Sequence, residues 1–120
     1  NWDLKYRNEK VVDYFKGLIN IRKCHPAFRM ANYQSIKNNL EFLPNMPDNV
    51  IAYIIKNNAN NDSWRNILVI FNANKNSAYV TIPTTPWNLV VDELTAGLEI
   101  IKQIDLDKIA SSFNLRLSLS

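Results

Sequence analysis

Hydrophobic positions along this chain change period once. From Asn8 to Cys24 they recur at helical spacing: a step of about 100° per residue puts Val11, Val12, Tyr14, Phe15, Leu18, Ile19 and Ile21 on one continuous arc, opposite Glu9, Lys10, Asp13, Lys16, Asn20 and Lys23. The arc takes roughly half of the cylinder, wider than the ~100° stripe with which a surface helix meets one core. A helix of this kind is built for two partners. Asn8 is the expected N-cap with Glu9 beside the positive dipole end, and Arg22 and Lys23 suit the negative end. Arg22 projects near the middle of the apolar arc, where its stem is expected to lie along apolar surface while the guanidinium reaches a carbonyl or carboxylate. His25-Pro26 should close the helix near Cys24, because proline lacks an amide hydrogen and pushes the residue before it out of the α region.

Beyond Met30 the pattern reads as strands and turns. Ile36, Leu40 and Phe42 open the series, followed by Val50 to Lys56 and by Trp64 to Asn72, with its apolar run Ile67 to Phe71. Tyr79 to Pro83, Trp87 to Asp92, Ile100 to Leu106 and Leu115 to Leu119 complete it, with Ile109 to Asn114 outside these strands. Leu115, Leu117 and Leu119 share one face of the last strand, and Arg116, Ser118 and Ser120 the other. Strands at intervals of about ten residues with turn signals between them predict an antiparallel sandwich. The predicted fold class is therefore mainly β, an antiparallel β-sandwich preceded by one amphipathic α-helix. Glycine occurs only at 17 and 97, so asparagine is expected in the left-handed turn positions, at Asn38-Asn39, Asn57-Asn58, Asn60-Asn61 and Asn74 to Asn76.

Composition narrows the function classes. At 120 residues, 47% of them hydrophobic, the chain can bury one ordinary core without staples. The net charge of +3 comes from scattered residues with no basic run to track phosphates, which argues against a nucleic-acid partner. No apolar stretch approaches the ~20 residues of a membrane-spanning helix. The Asn1-Trp2-Asp3 start lacks an initiator methionine and a signal-peptide pattern, so the chain is expected to be a piece or a processed product, and its compartment is not legible. Cys24 is alone, which excludes an internal disulfide and a cysteine metal cage. Cys24 and His25 are neighbours without a third orienting group; a partly buried thiol and a helix-capping histidine are expected instead of a nucleophile and base. Asp92-Glu93 and Asp105/Asp107 read as solvated strand-end charges, and no loop spacing suits calcium. No cofactor or metal is expected. Asn61-Asp62-Ser63 matches a glycosylation sequon.

Several segments together resemble type I pullulanases, debranching enzymes of the α-amylase superfamily of glycoside hydrolases. The stretch Asn8 to Ile19 with Arg22-Lys23 and His25-Pro26-Ala27-Phe28-Arg29-Met30 is similar to their last barrel helix and exit loop. Asp62-Ser63-Trp64, Ile67 to Asn74 and Trp87 with Val90-Val91 are similar to the start and middle of their C-terminal β-sandwich, a likeness that fades beyond Gly97. The resemblance implies a division into residues 1–30, the last helix and exit loop of a TIM-type barrel, and residues 31–120, the sandwich. It also implies a parent enzyme that hydrolyses α-1,6 branches of pullulan and starch-type glucans with a pair of barrel carboxylates. Those carboxylates have no counterpart in this sequence, so no catalytic residue is assigned. The implied role is to pack on and stabilise the barrel, with Val11, Tyr14, Phe15, Leu18, Ile19 and Arg22 facing it, and the exposed helix face invites self-association when the barrel is absent.

Two alternatives stand beside this reading. An α-glucan-binding module would use flat aromatic faces; Trp2 and Tyr6 are the candidates, because Trp64 and Trp87 each lead into a strand and read as core. A protein-interaction sandwich would use the exposed half of the helix as its docking face.

Overall fold

The computed structural model describes the backbone of residues 2–83, 86–92, 94–104, 108–111 and 114–119; side chains are described for the same residues except 2–4, 6, 104, 108–111, 114–116 and 119. Helix α1 runs Trp2–Cys24. It begins well before Asn8, because residues 2–7 contain neither glycine nor proline to stop it, and Asn8 is an interior residue instead of the N-cap. The closure lies where the sequence puts it: His25 is extended, with φ −122° and ψ 97°, and Pro26 opens a 3-10 turn, Pro26–Arg29. Arg29, not Arg22, reaches the last carbonyls of α1. Its guanidinium donates to the carbonyls of Arg22 at 3.0 Å and Lys23 at 3.3 Å, groups that a helix end leaves without partners.

A second, short helix α2, Tyr33–Asn39, occupies the place where Ile36 was expected to open a strand. Its cause is a cap: the Asn32 side chain accepts from the Ser35 amide at 2.9 Å, which satisfies a free donor of the first turn. Among the described residues eight strands follow: β1 Leu40–Phe42, β2 Val50–Ile55, β3 Ile67–Asn72, β4 Ala78–Thr81, β5 Trp87–Val91, β6 Lys102–Ile104, β7 Lys108–Ser111 and β8 Asn114–Leu119. Strand β7 lies outside the strands expected from the sequence. Six strands form one antiparallel sheet in the order β1-β2-β3-β8-β5-β6, and β4 with β7 forms a separate two-stranded ribbon. The antiparallel, mainly β fold with one long helix is thus the one expected.

Both faces of the large sheet are apolar, which accounts for the unbroken run in β3. Ile55, Ile67, Val69 and Leu117 gather with Ile21 and Ala27 on the helix side. On the opposite face Val50, Ala52, Leu68, Ile70 and Leu89 gather with Val80, Ile82 and Trp87. Ser118 sits in that second row, between Leu68 and Leu89, and is buried despite its place on the polar face of β8. Pairing of β5 with β8 shifts register between Leu89 and Val91. A bulge of this kind explains how Val90 and Val91, adjacent in sequence, both join the helix-side core.

Asparagine does stand in for glycine. Every described residue with positive φ is an asparagine: Asn45, Asn49, Asn57, Asn58, Asn60 and Asn61. Positions 57, 58, 60 and 61 were anticipated, whereas Asn38-Asn39 close α2 and residues 74–76 stay at negative φ.

Candidate functional site

The surface that stands out is the side of α1 turned away from the sheet, and three attachments fix its orientation. The first is a buried latch under the helix exit. Asp62, 3% exposed, accepts from the Ala27 amide at 3.0 Å and the Trp64 amide at 2.8 Å, and its Oδ1 lies 2.7 Å from Nδ1 of His25. An ionised carboxylate only accepts, so Nδ1 is the donor of that bond. The imidazole also stacks on Trp64, centroids 3.3 Å apart and planes 14° from parallel. Asn60 adds a bond to the Pro26 carbonyl at 2.7 Å. His25 is therefore no helix cap; it points from the exit loop into the β2–β3 connection.

The second and third attachments hold the middle of the helix. Tyr14 donates its hydroxyl to the Asp92 carbonyl at 2.7 Å. Asp92 in turn shapes the turn after β5, its side chain accepting from the Leu94 and Thr95 amides at 2.9 and 2.8 Å. One turn along α1, Gly17 lies so close to the Ala96 carbonyl that any Cβ would overlap it. Glycine is needed here for close approach and not for its dihedral freedom.

So held, α1 splits its apolar arc. Tyr14, Leu18 and Ile21 pack on the helix-side core. Val11, Val12, Phe15 and Ile19 remain 55%, 49%, 59% and 54% exposed. Of the six residues expected to face a barrel, Tyr14 and Leu18 pack on this chain's own sheet, while Val11, Phe15, Ile19 and Arg22 lie open. Trp2 and Tyr6 have side chains outside the described residues, as do Glu93, Asp105 and Asp107.

Alongside the helix runs a groove of about 320 Å³, lined by Leu18, Ile21, Arg22, Phe28, Tyr53, Val69, Phe71 and Leu117. Burial in this region raises the Tyr53 phenol above its ordinary value of 10.0. The groove was not foreseen from the sequence, because its walls come from α1, the exit loop and three strands far apart in the chain.

The chemistry these side chains offer is that of packing. Cys24 is exposed, its thiol directed at the Asn20 side chain at 3.7 Å, not partly buried as expected, because it falls on the polar side of the last turn. Among the described residues no group of His, Cys, Asp and Glu is arranged to hold a metal ion, and no helix is long and apolar enough to cross a membrane. Trp87 is 2% exposed and donates its indole N–H to the Pro83 carbonyl at 3.1 Å, so it and the stacked Trp64 are engaged inside the domain.

Proteins similar to this chain in sequence and in shape are pullulanases. Pullulanase of Bacillus subtilis is 33% identical over 93 residues, which cover 77% of this chain and 13% of that protein. The solved structure of a pullulanase from Bacillus acidopullulyticus matches all of this chain with a TM-score of 0.90 and 33% identity, over 15% of its own length. Type I pullulanase of Bacillus subtilis, solved with maltose, matches 99% of the chain with a TM-score of 0.82 and 28% identity, over 17% of its length. The chain thus spans less than a fifth of each of these relatives. Residues 36–95 also match the family model of the pullulanase all-beta domain, a span that begins inside α2 and takes in most of the helix-side core and the latch residue Asp62. This chain belongs to the pullulanase all-beta domain family.

Proposed function

We propose that this domain is the non-catalytic C-terminal part of a pullulanase-like debranching enzyme, where it packs on the catalytic barrel and stabilises it. In this reading residues 1–30 form the last barrel helix and its exit loop, residues 31–120 form the sandwich, and the parent enzyme hydrolyses α-1,6 linkages of pullulan-type glucans. The observation that carries the reading is the split helix: Tyr14, Leu18 and Ile21 pack on the sheet, while Val11, Val12, Phe15 and Ile19 present a second, exposed apolar stripe. The latch at Asp62 and the contacts at Tyr14 and Gly17 hold that stripe rigid, so a docked barrel would meet a preformed face.

The test compares two contexts. Phe15→Ala should cost on the order of 3–5 kcal/mol in the full-length enzyme, as for other large-to-small changes at buried sites. In the 120-residue chain, where Phe15 is 59% exposed, the loss should be far smaller. Denaturant titration of both proteins reads this difference, and equal losses would count against the assignment. Trp64 and Trp87 are both engaged inside the domain, so neither offers its face to a glucan.

A further inference from the structure

The helix-side face of the large sheet is apolar across β1, β2 and β3, yet α1 covers only part of it. Strand pairing sets Phe42, Tyr53, Val69 and Leu117 in one row across β1, β2, β3 and β8. The next row, Ile51 beside Phe71, lies on the same face because residues two apart in a strand share a side. Val69 and Leu117 are buried beneath the helix. Ile51 is 55% exposed, Phe71 45% and Phe42 65%. The groove of about 320 Å³ runs between this open strip and α1, with Leu18, Phe28 and Phe71 among its walls and Arg22 at its rim. Arg22, exposed and one turn on from Leu18 and Ile19 along α1, links the groove to the open stripe of the helix.

We propose that this strip, Phe42, Ile51, Tyr53 and Phe71, is the second half of the docking interface. Its occupant is an apolar segment of the same polypeptide's adjoining domain, carrying a carboxylate opposite Arg22. The inference rests on the reading of the domain as part of a longer enzyme. Three observations select that occupant. The relatives carry more than four-fifths of their length outside the part that this chain matches, so a covering segment has an ample source. The strip adjoins the helix stripe, so one rigid neighbour reaches both. Arg22 has no acidic partner among the described residues; an unpaired guanidinium beside apolar surface favours a carboxylate on the other side.

The experiment uses the full-length enzyme and the 120-residue chain side by side, with Phe71→Thr for the sheet strip and Phe15→Asp for the helix stripe. Threonine keeps the strand preference at 71 while removing the ring. The expected result is that each variant speeds thermal inactivation of the full-length enzyme roughly fivefold or more, a kinetic measure suited to large proteins, and shifts the melting of the 120-residue chain much less. Hydroxyl-radical labelling of Phe71 and Ile51 should be several-fold slower in the full-length enzyme. Arg22→Glu should speed inactivation only in that context. If Phe15→Asp alone destabilises the full-length enzyme and Phe71 labels equally in both, the strip is uncovered and this inference fails while the docking role stands. If neither variant acts beyond its effect in the short chain, both readings fall. Protection of Phe71 that appears in the short chain with rising concentration would make a second copy the occupant and overturn the proposal.

Discussion

Asp62 is the residue on which the attachment of helix to sheet converges. It accepts from His25, Ala27 and Trp64, and at 3% exposure no bulk water replaces it. Asp62→Ala would leave the buried Ala27 amide and the partly buried Trp64 amide without acceptors; at about 1–3 kcal/mol for a buried group and less for a partly buried one, a total loss of roughly 3 kcal/mol is expected in denaturant titrations. Asp62→Asn should lose less, since the amide oxygen still accepts. Trp64 fluorescence should change in step, because its ring stacks on His25. Tyr53 gives a signature at alkaline pH. Burial raises its phenol above 10.0 in the folded state, so the folded chain holds that proton more tightly than the unfolded one. The contribution is complete below about pH 10 and is lost as pH rises through the folded value. Tyr53→Phe should flatten that part of the stability curve; an unchanged slope above pH 10 would remove Tyr53 as its source.

At the scale of elements, α1 owes its position to the absence of one carbon atom. Gly17→Ala puts a Cβ into the Ala96 carbonyl, and backbone at that site can yield only if the turn after β5 moves. Alanine raises helix propensity by about 1 kcal/mol over glycine, yet overpacking of this kind costs about 1–3 kcal/mol. The expected net result is lower stability, seen as a lower melting temperature, together with weakening of the Tyr14 bond to Asp92. A stabilised variant would mean that α1 rides higher on the sheet than the structure has it. Elements also mark where local sequence was readable. His25-Pro26 stops α1 by backbone sterics alone, and β2, β3 and β5 follow their apolar runs. Helix α2 rests on one side-chain cap from Asn32, a short-range cue that three apolar residues at strand-like spacing obscure. Strand β7 has no cue of its own; it is a strand because β4 pairs with it.

For the molecule as a whole, the consequence of a half-covered face is association. Val11, Val12, Phe15 and Ile19 on the helix and Ile51 and Phe71 on the sheet expose apolar surface of the kind that marks interaction sites. Sedimentation velocity of the 120-residue chain should show a concentration-dependent rise in mean mass, reduced by Phe15→Asp. A strict monomer at high concentration would argue against an open docking face.

What the sequence determined by itself was local. The helix stop at His25-Pro26, the strand runs and the use of asparagine in left-handed turns all follow from steric preferences within a few residues. The over-wide apolar arc of α1 likewise announced two partners, because hydrophobicity on a cylinder can be counted without a fold. Which residues meet which partner was decided only by tertiary structure. Tyr14 and Leu18 turned to the sheet, and Phe15 and Ile19 away, because Gly17 and Tyr14 lock the helix at one rotation against the turn after β5. Asp62 became the latch, and the Ile51–Phe71 row stayed open, for the same reason: both depend on contacts between residues far apart in the chain, and periodicity carries no information about those.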